Sequence, residues 1–158
     1  MRCAVHARLT SMSPDAASDA IGGDLAGPLT RALEALAGPH VRSGYLFGSH
    51  ALNRAHRDSD VDLGVLLSFD LDRKQRFEER LRLAATLPGL LGGRVVDVVV
   101  LNDAPPHFGR RIVLEGRRVF CADPEADHAY RRDVQLRAAD LEPFLRRTRR
   151  LKLESLAR

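Results

Sequence analysis

Apolar residues recur at helical spacing at Leu25, Leu29, Leu33 and Leu36, and Gly38-Pro39 closes the run, so a helix is predicted from Asp24 to Ala37. "VRSGYLF" reads as a short strand that ends at Gly48-Ser49. "HALNRA" suits a brief helical turn, the polar loop "HRDS" follows, and a second strand is predicted from Asp60 to Leu67. Asp70 and Asp72 stand where helix N-caps belong; behind them Phe77, Leu81, Ala84 and Leu87 mark one face of a helix that Pro88-Gly89 ends. "RVVDVVVL", Arg94 to Leu101, is the clearest strand, β-branched and apolar on both faces except at Asp97. The prolines of "NDAPP" suit a helix start, residues 107–115 read as helical up to Gly116, and "RRVF" adds a short strand. Pro124 opens a long final helix with Tyr130, Val134, Ala138, Leu141 and Leu145 on one side, bent or interrupted at Pro143.

This order of elements implies an α/β (α+β) fold, a small mixed β-sheet of three to four strands packed by helices, with a C-terminal helix. Residues 1–22 keep no sustained period and read as a disordered leader, within which Met12 competes with Met1 as the start. Residues 23–122 form the domain and residues 123–158 a C-terminal helical extension. That extension carries more apolar positions than contact with a small sheet requires, so part of it is expected to meet another chain.

Composition narrows the setting. At 158 residues with 44% apolar content, the chain fits one domain. Cys3 and Cys121 alone make neither a disulfide framework nor a zinc-ligand spacing, which points to a reducing, cytoplasmic setting. No apolar run approaches the ~20 residues that span a bilayer, so no membrane is expected. Residues 110–158 hold 13 Lys and Arg against 8 Asp and Glu, leaving 12 against 13 in the first 109, so the basic character is C-terminal. The run "RRTRRLK" has no interleaved aromatics for base stacking, and a solvated or partner-facing helix is expected there rather than direct nucleic-acid binding.

The carboxylates at the mouth of the second strand change the picture. Asp60 and Asp62 are two apart and share a face, and Asp97 joins them if the third strand lies beside the second. Such crowding raises carboxyl pKa values unless a cation intervenes, and oxygen donors without Cys or His suit Mg²⁺ or Mn²⁺ rather than zinc. The plainer alternative has the carboxylates capping loop amides, with Asp97 paired to Arg94 or Arg111. Gly48-Ser49, a glycine at a strand end leading into a helical turn, supplies a phosphate cradle. Arg54 and Arg57 beside it either touch phosphate or partner or are solvated; the histidines lack ligand spacing, and His50 is given no role. Phosphates next to metal-holding carboxylates describe phosphoryl or nucleotidyl transfer.

Gly48-Ser49, ten residues, then Asp60-Val61-Asp62 resembles the G-S-x10-D-x-D signature of the DNA polymerase β superfamily of nucleotidyltransferases. "SDVDL" and "VVDVVVLNDAPP" followed by "EGRRVF" resemble its minimal nucleotidyltransferase branch in particular, from about Leu25 to Phe120. Many members carry a glycine where this chain has Asn53. The resemblance implies that Gly48 and Ser49 hold a nucleoside triphosphate, that Asp60 and Asp62 bind the metal, and that Asp97 is the third metal-site carboxylate, which activates the attacking hydroxyl. It also implies an enzyme that uses Mg²⁺ or Mn²⁺ to transfer a nucleoside monophosphate, AMP from ATP, to a hydroxyl of a partner protein. In that branch such proteins are commonly antitoxins paired with a HEPN-domain ribonuclease toxin, which makes a hetero-oligomer, or a homo-oligomer, part of the expectation. Two other readings stand beside it: an antitoxin that acts by complex formation alone, and a small-molecule nucleotidyltransferase of the aminoglycoside type.

Overall fold

A computed structural model describes residues 25–51 and 59–156, with side chains as far as Leu153. The expected leader and the loop with Asn53, Arg54, Arg57 and Asp58 lie outside the described residues, as does the side chain of Leu156.

The chain runs α1 (Ala26–Leu36), β1 (Val41–Phe47), α2 (Gly48–Ala51), β2 (Val61–Leu67), α3 (Arg73–Leu90), β3 (Val96–Val100), a 3-10 turn (Leu101–Asp103), α4 (Pro106–Glu115), β4 (Arg117–Cys121) and α5 (Pro124–Leu156). The four strands lie in the order β3-β2-β1-β4. β2 pairs antiparallel with β1 and parallel with β3, as a strand returning through a crossover helix must, and β4 closes the other edge antiparallel to β1.

Alternation along β2 assigns the two faces. Val61, Leu63, Val65 and Leu67 are all fully buried in one cluster with α1 and α3, together with Val96, Val98 and Val100 of β3. The opposite face carries Tyr45 and Leu66 and is covered by α4 and α5 through Ile112, Val113, Tyr130 and Val134. Gly64 lets α4 come this close, because a Cβ there would stand 2.9 Å from Ile112 Cγ2. Asn102 bonds the Leu67 amide at 2.9 Å and the Leu67 carbonyl at 3.0 Å, fastening the end of β2 to the turn after β3.

Three details of the sequence reading change. Asp72 rather than Asp70 caps α3, in a reciprocal capping box with Gln75. The buried side of α3 is Leu83 and Leu87, whereas Phe77 is 53% and Leu81 51% exposed. α3 lies over β3, an edge strand, so only a narrow stripe of the helix finds sheet beneath it. Neither proline stops its helix: α3 continues past Pro88 to Leu90, and α5 continues past Pro143 to Leu156 without interruption.

A buried polar knot fixes α5 to the sheet. Asp127, fully buried in the first turns of α5, accepts a 2.5 Å hydrogen bond from Tyr45 Oη on β1 and a 2.8 Å bond from Arg118 on β4. Ser43 Oγ is buried as well but has no partner in good hydrogen-bond geometry, so Tyr45 and Arg118 carry the contact. Burial lifts the Tyr45 hydroxyl far above its usual range, and the neighbouring carboxylate adds to the lift. Tyr130 donates to Leu101 O at 2.9 Å, and burial pushes its hydroxyl up to about 12. No helix among the described residues is long and apolar enough to cross a membrane.

Candidate active site

The β1–α2 corner and the start of β2 meet through backbone pairing. Phe47, the last residue of β1, is the register partner of Asp62, so the chain turns at Gly48 directly over the Asp62 carboxylate. Gly48 has φ +69°, a left-handed conformation, and a Cβ there would lie 2.0 Å from Asp62 Oδ2. Glycine is therefore required twice at one position, by the backbone and by the carboxylate. Ser49 follows in the first turn of α2, half-buried.

β3 brings in the third acid. The parallel register pairs Asp62 with Asp97, so both side chains rise from the face that α4 covers further along β2. Asp60 is exposed just before β2. Burial first, then the charges of Asp97 and Asp60, raise the Asp62 carboxyl above its ordinary value, while the His50 imidazole opposes them. His50 thus belongs to the site's electrostatics although its spacing gave no sign of it; its Nε2 is 3.1 Å from the Ser59 carbonyl, at the entry to Asp60. Its place immediately after Gly48-Ser49 was the available signal.

The three carboxylates interact without converging. Among the described residues, no three acidic, imidazole or thiol groups stand close enough to form a ready metal-ligand set. Asp97 Oδ1 lies 3.8 Å from the Arg80 guanidinium on α3, and Arg80 also donates through Nε to Val98 O at 2.7 Å. Arg111 pairs with Glu115 on its own helix. The donor chemistry nevertheless fits a hard divalent cation, because the acids offer only oxygen and their mutual repulsion is what such an ion neutralises. Beside Asp97 a groove of about 380 Å³ opens along β3, lined by Arg73, Phe77 and Arg80 of α3 and by Phe108 of α4. The exposed Phe77 that misses the core forms part of this groove.

Gly48→Ala tests the corner. The added methyl must displace the Asp62 carboxylate and hold the backbone in a conformation costing about 1–2 kcal/mol for an L-residue. Nucleotide affinity is expected to fall at least about tenfold in titration calorimetry, with far-UV circular dichroism unchanged. Affinity equal to the wild type would show that the corner is not part of the binding site.

Comparison with known proteins gives the family. Residues 34–125 match the family described as Polymerase beta, Nucleotidyltransferase. The chain is similar to Protein adenylyltransferase MntA of Shewanella oneidensis, 33% identical over 82 residues, 52% of this chain and 55% of that protein. It therefore spans about half the length of the curated relative it matches. Among solved structures, it is similar in fold to a toxin-antitoxin with AMP-PNP, at TM-score 0.57 and 23% identity over 84% of this chain and 98% of the other. It is also similar to a structure of tri-AMPylated Shewanella oneidensis HEPN toxin in complex with MNT antitoxin, at TM-score 0.55 and 21% identity over 84% and 96%. With more than half its length matched and the Gly48, Asp62 and Asp97 corner built as described, the chain belongs to the polymerase β nucleotidyltransferase family.

Proposed function

We propose that the protein is a minimal nucleotidyltransferase that transfers AMP from ATP to a hydroxyl of a HEPN-domain toxin and so acts as that toxin's antitoxin in the cytoplasm. The observation that carries the reading is the Gly48 turn seated on Asp62, with Asp97 in register on the next strand. The similarity to a protein adenylyltransferase supports AMP and a protein acceptor over other nucleotides and small molecules.

In this reading Gly48 lets the turn close over Asp62, and the Ser49 hydroxyl and the amides of the turn donate to the triphosphate oxygens. Asp60, Asp62 and Asp97 would hold a divalent ion, Mg²⁺ or Mn²⁺, which would supply the positive charge that offsets theirs and draws electron density from the phosphate. Asp97 takes the proton from the acceptor hydroxyl. The hydroxyl oxygen then bonds to the α-phosphorus, the bond from that phosphorus to the bridging oxygen of the β-phosphate breaks, and pyrophosphate leaves. The groove beside Asp97 is the side from which the acceptor enters.

Incubating the chain with the HEPN-domain protein encoded beside it, ATP and Mg²⁺ tests this. The HEPN protein is expected to gain mass by whole AMP units, with equimolar pyrophosphate release and loss of its ribonuclease activity. Loss of ribonuclease activity with no mass gain would replace transfer by neutralisation through complex formation.

A further inference from the structure

α5 is two structures in one helix. Up to Ala138 its inward residues Asp127, Tyr130, Val134 and Ala138 are all buried against β1 and α4. From Ala139 to Leu153 no residue is buried. The apolar stripe nevertheless continues on the same side: at 100° per residue, Leu141, Phe144 and Leu145 follow directly from Tyr130 and Val134, and Leu151 comes next on that side, which it shares with Thr148 and Lys152. Phe144 is 66% and Leu151 54% exposed. An amphipathic pattern that outlasts the protein's own core is one that something else is meant to cover.

Two further observations say what kind of occupant fits. Pro143 sits inside the helix where it leaves the body, removing one backbone hydrogen bond and crowding the preceding turn. A projecting segment of about 15 residues is marginal as a helix in water even without a proline, so the arm needs outside support. The charge is lopsided: Arg146, Arg147, Arg149, Arg150 and Lys152 outnumber Asp140 and Glu142, and Arg146 already bonds Glu142 at 2.9 Å. Arg147 borders the stripe on one side and Arg149 on the other. A second copy of this chain would bring five cations against five, whereas an apolar groove with acidic rims would meet both stripe and borders.

We infer that the C-terminal half of α5, from Leu141 to Leu153, is a docking arm that lies in an acid-rimmed apolar groove on the acceptor protein. This rests on the acceptor being the HEPN-domain partner proposed above. Anchoring the partner through α5 lets one contact hold it while its hydroxyl enters the groove between α3 and α4.

The test uses the full chain with Phe144→Ser plus Leu151→Ser, and separately with Arg147→Glu plus Arg149→Glu. Binding of the purified HEPN-domain protein is expected to weaken about 30-fold or more in the first variant. In the second it is expected to weaken about tenfold, with a flatter dependence on salt. Both variants should sediment and melt like the wild type and bind ATP equally well. Unchanged partner binding and AMP transfer in both variants would overturn the arm while leaving the proposed function standing. A wild type that neither binds nor modifies the HEPN protein would remove the partner and, with it, the arm's occupant. A wild type that sediments as a dimer, with Phe144→Ser plus Leu151→Ser monomeric, would assign the stripe to a second copy. A monomeric chain whose melting temperature falls with the serines would assign it to the chain's own core. Either outcome overturns the inference.

Discussion

Asp62→Asn is expected to abolish nucleotidyl transfer, lowering kcat at least about a thousandfold, or roughly 4 kcal/mol of transition-state stabilisation, while leaving the protein folded. The variant keeps the shape of the side chain beneath Gly48, so the corner is not opened, but it removes the most buried of the three charges. The raised carboxyl marks a site where negative charge is unfavourable without a counter-ion: burial and the neighbouring Asp97 and Asp60 all oppose it. Asparagine relieves that repulsion. In EDTA the variant should therefore melt at or above the wild-type temperature, although in Mg²⁺ it transfers nothing. A variant that melts several degrees lower in EDTA would make Asp62 a structural acid, and one that retains activity would remove it from the site.

Why the placement of Asp62 beside Asp97 could be read from sequence, and parts of the fold could not, follows from how each is encoded. The Asp62 and Asp97 arrangement rests on strand alternation and one parallel register: Val61, Leu63, Val65 and Leu67 fix the buried face of β2, and Asp97 is the one acid in the apolar run of β3. Gly48 announced itself as a strand-end glycine, although its second role, making room for Asp62, exists only once β1 and β2 pair. α3 was harder. Its apolar residues are scattered among arginines and glutamates, and Leu83 packs inward while Phe77 and Leu81 do not. That choice depends on the helix crossing an edge strand, a tertiary fact with no local signature. Arg80 likewise sits on a helix whose sequence gives no hint of Asp97, and 17 positions separate the two. The Tyr45, Arg118 and Asp127 knot ties the neighbouring elements β4 and α5 to β1, far back in the chain, and each member reads alone as an ordinary polar or aromatic residue.

That knot carries the largest expected effect on stability. Asp127→Ala is expected to destabilise the protein by about 3 kcal/mol or more, because it leaves the Tyr45 hydroxyl buried without an acceptor and removes the carboxylate paired with Arg118. For a domain of this size the melting temperature should fall by roughly 10 °C. The pH dependence follows from the direction of the shift. Burial alone would push the Asp127 carboxyl up, but hydrogen bonds from Tyr45 and Arg118, with the Ser43 hydroxyl beside them and the guanidinium charge, bring it below its ordinary value. A group whose folded pKa lies below the unfolded one adds stability above the unfolded value, about 4 for aspartate, and loses it as pH falls through the folded value. The gap between wild type and Asp127→Ala should therefore be full at pH 7 and narrow steadily once the pH drops below about 4. A gap that stays constant to pH 2 would mean that the side chain's packing matters and its charge does not. The same variant separates stability from chemistry: below its lowered melting temperature Asp127→Ala should bind ATP as the wild type does, whereas Gly48→Ala, fully folded, should bind it at least about tenfold more weakly.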